Sequence, residues 1–346
     1  MKIVIKIGSS VIYREEKIRE DILKNLITQI VKLQDLGYKV FLVSSGAIAL
    51  GANFYNFKNR PKKLSQLQSC AAVGQVLLMQ LYNKLLSPFE RISAQVLLTW
   101  DDFKCRKRFI NAKNTLLELT KRKTLPIINE NDTVSVEEIQ FGDNDKLSAL
   151  VACLVDATRL LIITDVEGLY VRGELVKEVK DINEDLLKYC KEKNYGMRVG
   201  GMKSKIEAAK LATEAGIKVD IVSFSKPEVI LNTVTKDEIL GTRFYPKIKL
   251  KSIKRWIAFG SVPCGKIFVD EGAKRALVER NSSLLLPGIT KIEGDFKEKD
   301  VVEVLDTQGT CFAKGQVNFS AEFLKRNMKK KKLDKEVIHR DYLVIL

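Results

Sequence analysis

Apolar residues recur with two different periods, in alternation, along the first 245 residues. Lys2 to Ile7 alternates like a strand, while Asp21 to Leu36 places its apolar residues at helical spacing before Gly37. Val40 to Val43 is a further short apolar strand, so these segments form a β-α-β unit. A helix that connects two strands allows them to run parallel, so the sequence predicts a mainly parallel sheet. The crossover connections of such a sheet are expected to be right-handed.

The same alternation continues through the rest of this region. Further helices are predicted at 67–86, 109–122, 146–155 and 204–215, and further strands at 94–98, 125–129, 160–164 and 219–224. Strands that alternate with helices pack as a sheet covered by helices on both faces. We therefore expect an α/β fold, a three-layer αβα sandwich.

The pattern changes near Tyr245. Residues 246–255 are rich in lysine and turn-forming residues, and we interpret them as a basic linker. Short apolar-polar runs follow, divided by glycines, with predicted strands at 265–269, 301–305 and 342–346 and one helix near 273–279. The predicted domains are thus 1–245, of α/β type, and 256–346, small and β-rich.

Cysteine and histidine usage excludes several kinds of chemistry. The six cysteines are Cys70, Cys105, Cys153, Cys190, Cys264 and Cys311. They form no C-x-x-C pair, which argues against a zinc site or a disulfide framework and predicts small core residues in a reducing compartment. His339 is the only histidine, so Ser-His-Asp and Cys-His mechanisms are disfavoured and multi-histidine metal sites are excluded.

The apolar runs are too short for a membrane segment. None approaches the roughly 18 uncharged apolar residues that a transmembrane helix needs. The first residues read as a strand of the mature protein and show no leader pattern. We expect a cytoplasmic protein with no membrane association.

The chain is strongly basic, with a net charge of +16. From Pro246 onward there are 21 Lys and Arg against 13 Asp and Glu, a net charge of +8 in less than a third of the length. Such a balance is typical of proteins that bind nucleic acid, anionic membranes or acidic small molecules. A lysine-rich composition without such a partner explains it equally well, so the charge alone does not decide.

Several candidate ligand-binding residues lie where predicted strands end, which is where open α/β sheets bind their ligands. Lys6 precedes Gly8, and a lysine there can reach the charge of a transferring phosphoryl group; a solvent-exposed edge lysine is the alternative. Ser44, Ser45 and Gly46 precede a helix, as do residues 200–205. Helix N-termini bind anions, although ordinary capping fits as well, and the second segment is not a P-loop.

Two clusters of amides and carboxylates, at 129–132 and 141–145, need a further explanation. Such groups can hold the ammonium group of an amino acid and orient Mg²⁺ on nucleotide phosphates. Turn and capping chemistry is the alternative. Asp165, after Thr164 at a strand end, is another candidate carboxylate on the nucleotide side.

Taken in order, these blocks resemble the amino acid kinase family. The matching segments are KIGSS (6–10), VSSGAIALG (43–51), AAVGQ (71–75), INENDTV (128–134), FGDNDKLSALVA (141–152), ITDVEGLY (163–170) and GGMKSKIEAA (200–209). Residues 255–289 resemble a PUA domain, a module that elsewhere occurs in RNA-modifying enzymes. The resemblance implies the amino acid kinase fold with a PUA-like domain attached.

The resemblance also implies a role for each matching residue. Lys6 and Lys205 would be catalytic and stabilise the phosphoryl group, and Ser45, Asp132 and Asn144 would bind the substrate. The residues implied for ATP binding are Lys6, Thr164, Asp165, Val199, Gly200, Gly201, Met202, Lys203, Ser204 and Lys205. Asp143 and Asp145 would support the site by orienting metal, substrate or lysines, with no dedicated protein metal site.

Two positions depart from the family pattern. Val199 stands where the family has threonine, and Lys203 replaces a small hydroxyl residue. An extra lysine beside phosphates is tolerable, whereas the loss of the threonine hydroxyl leaves the ATP contacts of this loop undefined.

The function implied is ATP-dependent phosphorylation of the side-chain carboxylate of L-glutamate, with Mg²⁺, at the start of proline biosynthesis. Feedback inhibition by proline and a homo-oligomer, dimer or tetramer, are implied as well. Another acidic substrate such as N-acetylglutamate is an alternative. A second alternative is an RNA-associated regulator with a vestigial kinase domain. The basic charge of the PUA-like domain leaves weak RNA binding open, although no aromatic stacking platform, which would favour it, is evident in the sequence.

Overall fold

The computed structural model shows an α/β unit followed by a small β-rich unit. It describes residues 1–14, 17–134, 144–183, 186, 201–246, 254, 256–261, 263–328, 330 and 333–346. One compact unit comprises residues 1–100 and 110–249, and the other comprises 101–109 and 250–346. The short segment 101–109 thus belongs with the C-terminal residues, which the sequence did not indicate. The domain boundaries at 245 and 256 stay predictions.

The first unit contains twelve strands among the described residues. They are β1 (Lys2–Ile7), β2 (Tyr13–Arg14), β3 (Lys17–Ile18), β4 (Lys39–Ser44), β5 (Ile92–Leu98), β6 (Thr124–Glu130), β7 (Arg159–Thr164), β8 (Tyr170–Val171), β9 (Glu174–Leu175), β10 (Glu178–Val179), β11 (Lys218–Ser223) and β12 (Thr242–Phe244). Its longer helices are α2 (Glu20–Asp35), α4 (Leu64–Leu86), α7 (Asp145–Leu154) and α8 (Met202–Glu214). Shorter ones are α1 (Ser9–Ile12), α3 (Ala47–Phe54) and α9 (Val229–Thr235). After β5 come α5 (Trp100–Lys104), nearly all of which belongs to the second unit, and α6 (Arg106–Leu119), which belongs to the first unit from residue 110 onward.

Eight strands form one sheet in the order β10-β12-β11-β7-β1-β4-β6-β5. β1 lies between β4 and β7 and runs parallel to both, and the antiparallel pair is β11 with β12. Parallel strands end at the same edge, so the residues that follow β1, β4, β6 and β7 converge. The predicted strands and helices all appear, displaced at their ends by up to three residues. The predicted fold class is confirmed.

The two faces of β1 have different neighbours because side chains alternate along a strand. Ile3, Ile5 and Ile7 are buried in the core that the sheet shares with α2, α4 and α9. Lys6 points to the other face, where α7 packs against β1 and β7. A strand that is apolar on both faces thus carries one buried cation.

α3 and α4 cross with almost no space between their backbones. A Cβ atom on Gly51 would lie 1.9 Å from the carbonyl oxygen of Cys70, and one on Gly74 would lie 1.7 Å from that of Ala47. Glycine is therefore required at both positions. The crossing fixes the start of α3, which directly follows Ser45 and Gly46.

The second unit has its own sheet and core. Its strands are β13 (Gly265–Val269), β14 (Ile289–Gly294), β15 (Val301–Leu305), β16 (Cys311–Gln316) and β17 (Leu343–Ile345), in the order β14-β13-β15-β16-β17. α10 (Glu271–Glu279) and α11 (Ala321–Asn327) accompany them. Within this unit Trp256 Nε1 donates to Phe103 O at 3.1 Å, and the Phe109 and Trp256 rings lie 5.9 Å apart. These contacts explain why the segment 101–109 belongs here.

The cysteine prediction holds in part. Cys70 and Cys153 are buried, but Cys105 and Cys264 are exposed, so the expectation that all are core residues is wrong. Cys105 lies at the junction of α5 and α6, and Cys264 immediately precedes β13, so neither belongs to the interior of a helix or strand. Cys190 lies outside the described residues. Among the helices described, none is both long and apolar enough to span a bilayer.

We predict that Gly74→Ala destabilises the first unit by about 1–3 kcal/mol, because the added methyl group must push α3 and α4 apart. Urea unfolding would measure the free energy. Val76→Ala, at a half-exposed position of the same helix, is the control and should change it by less than about 0.5 kcal/mol. Equal stability of Gly74→Ala and the parent would contradict the close crossing.

Candidate active site

Backbone hydrogen bonds hold the carboxyl ends of three adjacent strands together. Gly8 N donates to Ile163 O at 3.3 Å, and Ser45 N donates to Ile7 O at 3.2 Å. The chain turns into α3 at Gly46, which has φ of +99°, a left-handed conformation that glycine adopts without strain. These contacts place the ends of β1, β4 and β7 side by side, as the sequence predicts.

Three charged side chains meet beside these strand ends. Lys6 Nζ lies 2.6 Å from Asp145 Oδ1, and Lys205 Nζ lies 3.1 Å from Asp145 Oδ2. All three side chains are at most 8% exposed. Buried charges require close partners, and Asp145 at the start of α7 supplies one to both lysines. The structure thus brings together the two lysines expected to be catalytic.

The first turns of α8 contribute through one face of the helix. Ser204 Oγ donates to Asp145 Oδ2 at 2.8 Å, next to Lys205. Lys203 points elsewhere, and its ammonium group lies 3.7 Å from Glu207 Oε1 in an exposed i,i+4 pair. Residues two apart on a helix lie on nearly opposite sides. The two lysines of this segment therefore have different surroundings.

A cavity of about 450 Å³ lies at this edge of the sheet and is bordered by residues that follow β1, β4 and β6. Ser45, Asp132 and Asn144, the residues expected to bind the substrate, all line it. Asp132 follows β6 in a turn that is held where Asn131 N donates to Leu98 O at 2.9 Å. A volume of this size suits a small ligand. The three residues come from separate parts of the chain, and the fold brings them to one cavity.

The orientation of the Asn144 amide follows from its partners. Asn144 Nδ2 donates to Ser44 O at 2.6 Å and to Asn129 Oδ1 at 2.5 Å. A carbonyl oxygen can only accept, so the atom facing it must be the amide nitrogen. Both N–H groups are then engaged, and Oδ1 is the atom left to a ligand. Asn144 therefore offers the cavity a hydrogen-bond acceptor.

Ser44 and Ser45 face in different directions from the end of β4. Ser44 Oγ lies 2.8 Å from the hydroxyl of Tyr82, whose pKa is raised strongly by burial, so that hydroxyl stays protonated. Ser45 Oγ is buried and has no hydrogen-bond partner among the described residues. An unsatisfied buried hydroxyl is costly, which favours a ligand group at this place.

Thr164 ends β7, on the other side of β1, and Asp165 follows it directly. Thr164 Oγ1 and Asp165 Oδ1 lie 3.3 Å apart, and Arg14 lies 3.8 Å from Asp165 Oδ2. Thr164 is buried, and the carboxylate of Asp165 is partly exposed. Gly201 and Met202 begin α8. Asp143, Val199 and Gly200 lie outside the described residues, and their roles stay predictions.

One wall of the cavity was not anticipated. The last turn of α3 contributes Asn53, and the segment after α3 contributes Asn56, Phe57, Lys58, Asn59 and Arg60. Glu130, which belongs to an expected cluster without an assigned role, also lines the cavity. The signal available in the sequence was a run of asparagines and cations between an amphipathic helix and Pro61, and such a run lacks the periodicity that predicts structure.

The chain matches two known protein families. Residues 1–223 match the amino acid kinase family, and residues 265–339 match the PUA domain. The glutamate 5-kinase of Thermoanaerobacter sp. is 40% identical, over 100% of this chain and 98% of its own length. That of Caldanaerobacter subterraneus subsp. tengcongensis is 42% identical over the same shares. A carbamate kinase structure from Giardia has a TM-score of 0.50 at 20% identity, covering 71% of this chain and 99% of that one.

The chain therefore belongs to the amino acid kinase family and carries a C-terminal PUA domain. Within that family it is similar from end to end to the glutamate 5-kinases. The carbamate kinase structure supports the fold alone.

We predict that Asp145→Asn lowers kcat by on the order of a hundredfold, because the two ammonium groups repel each other once the shared carboxylate is lost. Steady-state kinetics with ATP and glutamate would measure it, with thermal unfolding to establish that the variant is folded. Glu118→Gln removes an exposed carboxylate on α6, which is paired with Lys121, and serves as the control. A folded Asp145→Asn variant with normal kcat would contradict the bridging role.

Proposed function

We propose that this protein transfers the γ-phosphoryl group of ATP to the side-chain carboxylate of L-glutamate. An oxygen of the γ-carboxylate attacks the γ-phosphorus in line, the bond to the β,γ-bridging oxygen breaks, and ADP leaves with that electron pair. The product is L-glutamyl 5-phosphate, an acyl phosphate. This reaction is the first step of proline biosynthesis.

The observation that carries the proposal is the position of Lys6 in the sheet. Its strand lies between β4, whose end borders the cavity, and β7, whose end carries Thr164 and Asp165. We assign the cavity to the amino acid substrate and the region at the end of β7 to the nucleotide. Lys6 and Lys205 are joined through Asp145. With these assignments, the two lysines lie where the phosphoryl group passes from the nucleotide to the amino acid.

The chemistry fits a site without histidine. A γ-carboxylate has an unperturbed pKa of about 4.3 and is already ionised at neutral pH, so no general base is needed. The obstacle is the approach of one anion to another. Fixed ammonium groups in a water-poor site offset that repulsion and stabilise charge on the transferring group.

Mg²⁺ fits this proposal as a companion of ATP. Magnesium prefers oxygen ligands and is commonly held by one or two carboxylates together with phosphates. Asp165, partly exposed at the end of β7, has the appropriate donor atoms. Asp145 lies between two lysines, so we assign it to their positioning rather than to metal. When bound with ATP, the ion would neutralise phosphate charge.

The proposal includes properties that the family resemblance implies. The enzyme would be cytoplasmic, would assemble as a dimer or tetramer, and would be inhibited by proline. Weak RNA binding through the PUA domain stays an alternative role for that domain.

The reaction is tested by ADP release from Mg²⁺-ATP with L-glutamate, N-acetyl-L-glutamate or L-aspartate, adding hydroxylamine to trap acyl phosphate. Turnover and hydroxamate with glutamate alone are expected. Turnover with a different acid would overturn the substrate and leave the fold and lysine assignments in place. A folded protein that is inactive with all three would favour the RNA-associated alternative.

We predict that Lys6→Ala or Lys205→Ala lowers kcat by on the order of a hundredfold or more, since each removes a cation from the phosphoryl site. Assays of ADP release at saturating concentrations of both substrates, either discontinuous or enzyme-coupled, would measure kcat. Lys2→Ala, at the opposite end of β1, is the matched control and should retain activity. Near-normal kcat in both site variants would refute the assigned roles.

We predict that Asp132→Ala raises the KM for glutamate by on the order of tenfold or more, with a much smaller effect on the KM for ATP, because it removes an ammonium-binding carboxylate. Initial rates with each substrate varied separately would measure both. Thr133→Ala, in the same turn but with its hydroxyl 2.5 Å from Asn131 Oδ1, is the control. Equal changes in both KM values would place Asp132 elsewhere.

A further inference from the structure

Two cations line the cavity assigned above to the amino acid. Lys58 and Arg60 lie in the segment that follows α3, and both border the cavity that Ser45, Asp132 and Asn144 also line. Both residues are exposed to solvent. They are therefore within reach of a charged ligand that enters from solution.

The acidic and the basic residues that line the cavity come from different segments of the chain. Asp132 and Glu130 supply carboxylates, and Asn144 presents the acceptor Oδ1 because both of its N–H groups are engaged. These groups suit a substrate ammonium group. Lys58 and Arg60 supply the cations among the described residues that line the cavity. Lys6 and Lys205 meet at Asp145, on the side assigned to phosphoryl transfer.

A free amino acid with a side-chain carboxylate has three charged groups to satisfy. Its γ-carboxylate must meet the phosphoryl group, and its ammonium group suits the acceptors just described. The α-carboxylate then needs a positive partner on the remaining wall. A guanidinium group pairs with a carboxylate through two parallel N–H donors, and an ammonium group adds a point charge.

We propose that Lys58 and Arg60 bind the α-carboxylate of the substrate and so select amino acids in which that group is free, an inference that rests on the proposed glutamate kinase function. The segment after α3 is thereby a specificity-determining wall. Analogues whose α-carboxylate is amidated, esterified or absent are poor substrates, even though their γ-carboxylate is unchanged.

The test compares L-glutamate with its α-amide, which keeps the ammonium group and the γ-carboxylate. Wild type should prefer glutamate by on the order of tenfold or more in kcat/KM, since one charge-assisted contact is missing from the amide. In the double variant Lys58→Ala/Arg60→Ala the preference should shrink to within about twofold, because a lost charge-assisted contact no longer separates the substrates. The loss of kcat/KM should be larger for glutamate than for the amide.

Lys62→Ala/Lys63→Ala is the matched control. It removes the same charge from the same stretch of chain, but these lysines do not line the cavity. This control should keep the wild-type preference for glutamate over its α-amide. The double variant Lys58→Arg/Arg60→Lys conserves both charges and should keep that preference as well. An unchanged preference in Lys58→Ala/Arg60→Ala, or an equal loss in the control, would overturn the inference.

Failure of the inference and failure of the proposed function give different results. If wild type does not phosphorylate glutamate at all, the proposed function is wrong. If wild type phosphorylates glutamate and its α-amide equally well, the function holds and the α-carboxylate is not recognised.

Discussion

The carboxylate of Asp145 lies against two ammonium groups that are almost wholly removed from water. A buried lysine that loses its partner carries an uncompensated charge, which is among the most destabilising changes a protein interior can undergo. The bridge therefore holds β1, α7 and α8 together at the carboxyl edge of the sheet. It also sets the distance between Lys6 and Lys205, so the geometry available to a phosphoryl group depends on it.

The parallel sheet brings together site residues that are widely separated in the sequence. Each crossover returns the chain to the same edge, so the segments after β1, β4, β6 and β7 become neighbours. Gly51 and Gly74 then bring α3 against α4, and this crossing fixes the start of the helix that Ser45 and Gly46 precede. The close packing of α3 against α4 therefore also determines where the Ser45 hydroxyl lies.

Hydrophobic periodicity was sufficient to predict the fold, since every predicted strand and helix of the sheet appears. Family blocks predicted Ser45, Asp132 and Asn144, which share one cavity. The wall with Lys58 and Arg60 escaped prediction because an irregular polar segment has no period to read. The separation of Lys203 from Lys205 follows from helix geometry, but only once the start of α8 is known. Likewise, nothing local in 101–109 indicates that it belongs with Trp256.

Among the described residues of the C-terminal sheet, the charges along one row of paired positions alternate in sign. Glu293 pairs with Lys266, Lys266 with Glu303, and Glu303 with Lys314, so charges of opposite sign alternate along one row of the strands. Opposite charges in directly paired positions stabilise a sheet. Binding a nucleic acid backbone requires clustered cations that together displace its counterions. This row therefore serves the cohesion of the PUA domain, whereas Lys58 and Arg60 face a cavity whose size suits a small anion.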